Sequence, residues 1–176
     1  MARMISIDAI ELVLRCSKGA VGAGESPPNT NRGPFVRRVL ARTGNKEGDP
    51  WCASWITDVG VNALEQRWPV LRSAGVMAIC EWARGAKCRY IPSASGAGKP
   101  QVGDLYAMWN EKLQRWAHIG FVIAVGDGTQ VTVRDGNTSD PKDTDPDTNR
   151  EGWLVAEKPR TLTKKDRLIR WIEAMP

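Results

Sequence analysis

The spacing of apolar residues changes once along this chain, and that change limits the folds available to it. Before about residue 100, apolar positions recur at helical spacing, as in Ile7, Ile10 and Leu14. After it they alternate with a period of two, the spacing of strands in DLYAMW, HIGFVIAV, QVTVRD and GWLVAE. Helices followed by antiparallel strands define the α+β class, with N-terminal helices packed on a C-terminal antiparallel β-sheet.

The sequence also contains the residues that typically begin and end helices or form turns between strands. Further helices are predicted for PFVRRVLARTG, from about Trp51 to Trp68, and from Ser73 to about Ala83. Asp127-Gly128 predicts a tight hairpin between two of the strands. The tail LTKKDRLIRWIEAMP fits either a terminal helix or an extended edge. With no internal repeat and no linker, residues 1–176 are expected to form a single catalytic domain.

Composition and charge restrict the setting in which the chain works. Its 176 residues suffice for one well-filled core, and the net charge of +5 favours approach to an anionic polymer. The basic residues are scattered, so no nucleic-acid partner is expected, and no apolar run suggests membrane insertion. Asp8 and Glu11 interrupt the N-terminal apolar pattern, so we expect synthesis in the cytoplasm without a signal peptide. A monomer is expected.

The stretch GDPWCASW, residues 48 to 55, places a thiol at the predicted start of a helix. Asp49 and Pro50 are expected to supply the N-cap and the first-turn proline, which puts Cys52 in the first turn. Unpaired amides and the helix dipole stabilise a thiolate there, so Cys52 is a candidate nucleophile. The alternative is a small, inert core residue. The four cysteines have no zinc-type spacing.

A cysteine nucleophile needs a general base, and His118 is the single histidine of the chain. The alternation in HIGFVIAV puts Ile119, Phe121 and Ile123 on one face and His118 with Gly120 on the other. The small residue beside His118 leaves room for another element to approach closely. Alternatively, His118 is a partly buried histidine satisfied by a backbone carbonyl.

The motif VRDGNTS could supply the group that orients the imidazole. Asp135 and Asn137 are two residues apart, so they share a face if the strand continues. Either side chain could accept a hydrogen bond from the second ring nitrogen and fix the tautomer. The alternative is an ordinary turn, for which Asp, Gly and Asn are common.

These motifs together resemble the CHAP domain, the cysteine, histidine-dependent amidohydrolase/peptidase family of papain-like peptidoglycan hydrolases found in phage endolysins. The resemblance rests on GDPWCASW, QVGDLYAMW, WAHIGFVIAV and VTVRDGNTS, with ESPPNTNRGPFVRRVLARTG upstream, and runs from about residue 20 to 160. It implies a papain-like fold, a catalytic Cys52 and a general base at His118. The family often has glutamate third, where this chain has Asp135, so Asn137 is the other candidate for the orienting role.

The resemblance also implies a substrate, an amide bond of bacterial peptidoglycan, cleaved as an amidase or as an endopeptidase. A phage endolysin of this kind would act on the wall after release from the host cytoplasm. Two other possibilities stay open: a Cys–His hydrolase of another amide, and a non-enzymatic wall-binding or virion structural module of the same fold.

Several further residues are candidates for binding. Arg32 could bind a substrate carboxylate, with Glu25 nearby, or the two could anchor the loop that contains them. The side chains of Trp51, Trp55 and Trp109 could line a groove or belong to the core. No cofactor is expected, except that alternating oxygen ligands could bind calcium instead of forming a solvated acidic loop. Those ligands would be Asp143, Asp145, Asp147 and Asn149.

Overall fold

The computed structural model describes residues 2–86, 89–92, 98–142 and 152–175, with side chains described for 7–86, 98–142 and 152–175. Within these ranges the first half of the chain forms helices, and none of them is long and apolar enough to cross a membrane. Pro34 stands at the first position of its helix, as expected for a residue that needs no amide partner there. The four helices are α1 (Ala2–Lys18), α2 (Pro34–Ala41), α3 (Cys52–Leu64) and α4 (Val76–Gly85).

The second half forms strands β1 (Arg89–Pro92), β2 (Leu105–Asn110), β3 (Arg115–Val125), β4 (Gln130–Thr138), β5 (Leu154–Thr161) and β6 (Arg167–Arg170). They make one antiparallel sheet with the order β1-β6-β2-β3-β4-β5 in the described part of the chain. The Asp127-Gly128 turn joins β3 to β4, with Gly128 at φ +61°, and the predicted hairpin is confirmed. Helices followed by an antiparallel sheet confirm the α+β class.

The C-terminal tail adopts neither of the two expected forms. It contributes β6, which lies inside the sheet between β1 and β2, followed by a short 3-10 turn, Trp171–Ala174. A buried ion pair holds it there: Arg170 donates to both carboxylate oxygens of Asp104, at 3.0 and 2.9 Å. The buried Trp171 indole also donates to the carbonyl of Gly103 at 2.7 Å. Ion pairing between residues far apart in the chain thus places the tail as an internal strand.

The core lies between the helices and one face of the sheet, with α3 packed directly on β3 and β4. Trp55 of α3 meets Phe121 of β3 edge to face, at a centroid distance of 5.7 Å. Ile119 lies in the same buried cluster, whereas Val122 belongs to a separate apolar cluster with Val133. The predicted alternation of β3 is therefore confirmed at these positions.

The start of α3 differs from the prediction by one residue and by its cap. The helix begins at Cys52, Trp51 stands at the N-cap position, and Pro50 precedes the helix. The Asp49 carboxylate accepts from the Asn45 side-chain amide at 3.1 Å, so it closes the preceding loop and the predicted Asp49 cap is wrong. At the other end α3 stops at Leu64 and continues as a 3-10 turn instead of reaching Trp68.

Gly60 is the point where α3 packs against the chain that follows it. A Cβ at this position would lie 2.1 Å from the Trp68 ring, so only glycine allows the contact. The Trp68 indole itself packs against Trp171, with the rings tilted by 54° and their centroids 4.9 Å apart. The missing side chain of Gly60 therefore allows α3 to pack against the Trp68–Trp171 pair.

We expect Gly60→Ala to lower the free energy of unfolding by about 2 kcal/mol or more, because overpacking a rigid ring costs about 1–3 kcal/mol. Gly85→Ala is the matched control, since a Cβ there meets no atom within 4 Å. It should leave stability unchanged or raise it by up to about 1 kcal/mol, the helix preference of alanine over glycine. Urea unfolding followed by tryptophan fluorescence measures both. Equal stabilities for the two variants would contradict this packing.

Candidate active site

Gly136 brings the first turn of α3 close to strand β4. A Cβ on Gly136 would lie 2.7 Å from the Trp51 ring and 2.9 Å from that of Trp55, so a side chain would push the helix away. Cys52 follows Trp51 as the first residue of α3 and is only 4% exposed. The absence of a side chain at one position of β4 therefore lets the thiol lie against the sheet.

Gly120 likewise leaves space for a close approach, here between β3 and the Asp135 side chain of β4. It pairs with Asp135 across β3 and β4, and a Cβ on Gly120 would lie 2.8 Å from the Asp135 Cβ. The carboxylate uses the space that glycine leaves, and its Oδ2 lies 2.8 Å from His118 Nε2. Asp135 is fully buried, so this contact is shielded from water.

Cys52, His118 and Asp135 form one chain of contacts. The His118 imidazole hydrogen-bonds to Asp135 and lines the same groove as Cys52, and the nearby thiol is one of the causes that raise the pKa of His118. Since Nε2 is engaged by Asp135, the remaining ring nitrogen, Nδ1, is the one available to the thiol. The three residues predicted from their order in the chain are thus brought together in the fold.

The electrostatics of the His118–Asp135 pair favour a charged imidazole. Burial alone would lower the pKa of His118, but the charge and hydrogen bond of Asp135 and the contact with Cys52 outweigh it and raise the pKa. Burial would likewise raise the pKa of Asp135, but the charges and hydrogen bonds of His118 and Arg160 lower it. The His118 contribution to stability is present below its unfolded pKa of about 6.5 and is lost as pH rises through the raised folded pKa.

Asn137 does not orient the imidazole. Its backbone has φ +56°, and β4 has an irregular register between Asp135 and Thr138. In the amide orientation that satisfies both groups, Asn137 donates to the Gly152 carbonyl at 2.9 Å and accepts from the Trp51 amide at 3.3 Å. Asp135 therefore takes the orienting position, and Asn137 fixes the backbone that enters α3.

Two grooves meet at Cys52, and each is bounded by different elements. The larger, about 480 Å³, runs past His118 and continues as a recess of about 280 Å³ that ends near Arg160. The smaller, about 300 Å³, lies on the other side and includes Trp116. Pro50, Cys52 and Ala117 line both, so an extended ligand can cross the thiol.

Glu25 anchors a loop. Its carboxylate is nearly buried and accepts from Trp51 Nε1 at 2.9 Å and from the amides of Thr30 and Asn31 at 2.6 and 2.9 Å. Both oxygens are therefore engaged, although Glu25 lies at the wall of the larger groove. Arg32 is exposed and lines neither groove, so its predicted contact with substrate is not supported by its position.

The predicted groove tryptophans are distributed differently. Trp51 and Trp55 are fully buried, because α3 packs its first turn against the sheet, and neither of them lines the two grooves at Cys52. Trp109 is half-buried and meets Trp116 edge to face at 5.3 Å. Trp116, and not Trp109, lines the groove beside Cys52.

Arg160 is the site residue that sequence reasoning missed. Its guanidinium lies 3.3 Å from Asp135 Oδ2, the same oxygen that contacts His118, and it lines the recess beside that histidine. No motif joins Arg160 to Asp135, since 25 residues separate them. Only the pairing of β4 with β5 brings them together.

Among the side chains that the structure describes, no group of three or more His, Cys, Asp or Glu residues is arranged to hold a metal ion. The candidate calcium ligands lie outside the described residues, as does Cys88. They are Asp143, Asp145, Asp147 and Asn149.

Comparison of the chain with protein-family models, curated proteins and solved structures gives no match.

We expect Asp135→Asn to lower the pKa of His118, because the amide keeps a hydrogen-bond acceptor but removes the charge that offsets burial. The chain has a single histidine, so one imidazole signal in a ¹H–¹³C NMR titration reports the group directly. The parent should titrate well above 6.5, the ordinary value, and the variant below the parent. A parent midpoint at the ordinary value, unchanged in Asp135→Asn, would contradict the buried ion pair.

Proposed function

We propose that this protein is a cysteine hydrolase of amide bonds with the fold and site of a CHAP-like domain. The observation that carries the proposal is that Cys52 and His118 line one groove, with the His118 imidazole hydrogen-bonded to the buried Asp135 carboxylate. A nucleophile, a base and a group that orients the base are the parts that acyl transfer by cysteine requires.

The arrangement of elements supports a papain-like architecture. The thiol stands at the first residue of a helix, and the base stands on a strand of the sheet against which that helix packs. The N-terminus of α3 has unpaired amides and a positive dipole end, the part of a helix at which anionic groups are stabilised. The raised pKa of His118 favours the imidazolium, the partner of a thiolate in an ion pair.

The reaction follows from these protonation states. The Cys52 thiolate attacks the amide carbonyl carbon, and the electrons of the C=O bond move to oxygen. As the tetrahedral intermediate collapses, the C–N bond breaks and His118 gives its proton to the departing amine. Water then attacks the thioester while His118 takes a proton from it, and the carboxylic acid product leaves as the thiolate is restored. Asp135 keeps the imidazole in one orientation through both steps.

Backbone amides at the start of α3 are the natural donors to the oxyanion. The Cys52 amide lies in the first turn, where no preceding helical carbonyl is available. Donors held in place before the reaction stabilise the developing negative charge without reorganisation, and each contributes about 3 kcal/mol in known acyl-transfer sites.

We place one half of the substrate in each of the two grooves. The departing amine must reach His118, so the amine portion occupies the larger groove, on the His118 side of Cys52. The acyl portion then occupies the smaller groove beside Trp116. A substrate of this kind is an extended chain that crosses the thiol.

We assign bacterial peptidoglycan as the substrate from the resemblance of the four motifs to CHAP domains. The net charge of +5 is compatible with approach to an anionic cell wall. The bond would be that between muramic acid and L-alanine, or a peptide bond of the stem or cross-bridge. The biological role that fits this chemistry is a phage endolysin that acts on the wall after release from the host cytoplasm.

The test is hydrolysis of isolated peptidoglycan by the parent, Cys52→Ala and Cys16→Ala. We expect the parent and Cys16→Ala to clear the suspension and Cys52→Ala to be slower by roughly 10³-fold or more, the scale on which loss of a covalent nucleophile acts. Cys16 is the control because it lies on α1, outside both grooves. Turbidity gives the rate, and mass spectrometry of the fragments distinguishes an amidase from an endopeptidase.

Equal clearing by the parent and Cys52→Ala would remove the thiol from the mechanism. Binding to the wall without clearing by any variant would favour a wall-binding module of the same fold.

A further inference from the structure

The charge balance around Asp135 is unusual for a buried carboxylate. Asp135 is 0% exposed, and both of its cationic neighbours, His118 Nε2 and Arg160, contact the single oxygen Oδ2. The other oxygen, Oδ1, is buried without a hydrogen-bond partner in the described part of the chain. The ionised form of Asp135 therefore depends on His118 and Arg160 together.

His118 cannot supply that balance throughout the proposed reaction. It is an imidazolium when it faces the thiolate and becomes neutral once its proton has passed to the leaving amine. A buried carboxylate with no counter-charge is strongly disfavoured and tends to take up a proton. Arg160 keeps its charge at all working pH values, so it is the cation that remains beside Asp135 at that stage.

We propose that Arg160 is a positioning residue of this site, whose guanidinium keeps the Asp135 carboxylate ionised and directed at His118 when the imidazole is neutral. The inference rests on the proposed Cys–His hydrolysis. Arg160 acts through Asp135 and is not required to touch the substrate.

The arrangement of strand β5 supports this role. The residue opposite Asp135 on β5 is Ala156, whose methyl group offers no hydrogen bond. Arg160 supplies the contact instead, and its Nε is buried without a hydrogen-bond partner among the described residues. A buried donor left unpaired costs stability, and sites that keep such a group often use it in their chemistry.

The other charged and titratable groups around the pair do not replace Arg160. From α3 the neighbour is Cys52, and from β2 it is Tyr106, whose pKa is raised first by burial and then by Asp166, so the phenol stays neutral. From β5, Lys158 lies near, but its ammonium donates to Ser139 Oγ. Among the described side chains, Arg160 is the permanent cation in contact with Asp135.

The direction in which removal of Arg160 shifts the titration follows from the charge states of the Asp135–His118 pair. Removing Arg160 destabilises the state with ionised Asp135 and neutral His118 the most, because that state carries a net negative charge. Each loss of a proton from the pair therefore requires a higher pH, and both limbs of the pH–rate profile move in the alkaline direction. The imidazolium also becomes a weaker acid, which slows its transfer of a proton to the leaving amine.

The experiment compares the parent with Arg160→Gln, Arg160→Lys and the control Arg67→Gln. Arg67 is exposed in the 3-10 turn after α3, and its replacement removes the same charge far from the site. The first readout is the NMR titration of His118, which needs no substrate. The second is the pH profile of peptidoglycan hydrolysis.

For Arg160→Gln we expect the His118 midpoint and the pH optimum to rise by roughly one unit, the size of a single nearby charge in a partly screened site. Hydrolysis at pH 7 should fall by roughly tenfold or more. Arg160→Lys, which keeps the charge, should stay within roughly half a unit of the parent, and Arg67→Gln should match the parent.

An unchanged or lowered His118 midpoint in Arg160→Gln would overturn the proposal, as would an equal loss of activity at every pH. If Arg160→Gln does not fold, Arg160→Lys decides: a full upward shift despite the retained charge contradicts the role. If the parent does not hydrolyse peptidoglycan, the proposed substrate fails, while the His118 titration still tests Arg160.

Discussion

The close approach of the first turn of α3 to strand β4 is the constraint on which the rest of this site depends. It exists because Gly136 has no side chain where the rings of Trp51 and Trp55 lie, within 3 Å of where a Cβ would stand. The same contact buries both rings and presents Cys52 to the sheet. Packing and chemistry are thus set by the same few residues, and a side chain at position 136 would disturb both.

The loop before α3 reinforces this geometry from outside. Residues 22–25 pair with the start of β5, where the Glu25 amide donates to the Trp153 carbonyl at 2.7 Å. The Glu25 carboxylate then holds the Trp51 indole, and Asn137 holds the Trp51 backbone amide. Two separate segments, the loop with Glu25 and the end of β4, therefore hold the residue immediately before the thiol. A nucleophile held in this way loses little freedom when a substrate binds, which is a large part of the benefit of a preorganised site.

Much of this arrangement could be predicted from the sequence, because it depends on local patterns. The change of period gave the order of helices and strands, and the alternation in HIGFVIAV placed His118 and Gly120 on one face. The two possibilities for the orienting group could not be separated, because the irregular register after Asp135 turns Asn137 toward Trp51 and Gly152.

The remaining differences come from long-range pairing. Arg160 meets Asp135, and Arg170 meets Asp104, only because distant strands become neighbours in the sheet. The burial of Trp51 and Trp55 likewise depends on how closely a helix approaches a glycine on another element. Residue type alone does not decide whether a tryptophan is buried in the core or lines a groove, because its ring suits both environments.

The most direct test of the central claim is the reactivity of Cys52 toward iodoacetamide at mildly acidic pH, mapped by peptide mass spectrometry. An ion pair with His118 predicts that Cys52 is alkylated at pH 5.5 to 6, where ordinary thiols, with a pKa near 8.5, are protonated and unreactive. Cys16, which is only partly buried, serves as the internal reference. In His118→Gln the preference for Cys52 at this pH should disappear. Alkylation of Cys52 only at alkaline pH, at a rate that His118→Gln leaves unchanged, would contradict the assignment of Cys52 and His118 as nucleophile and base.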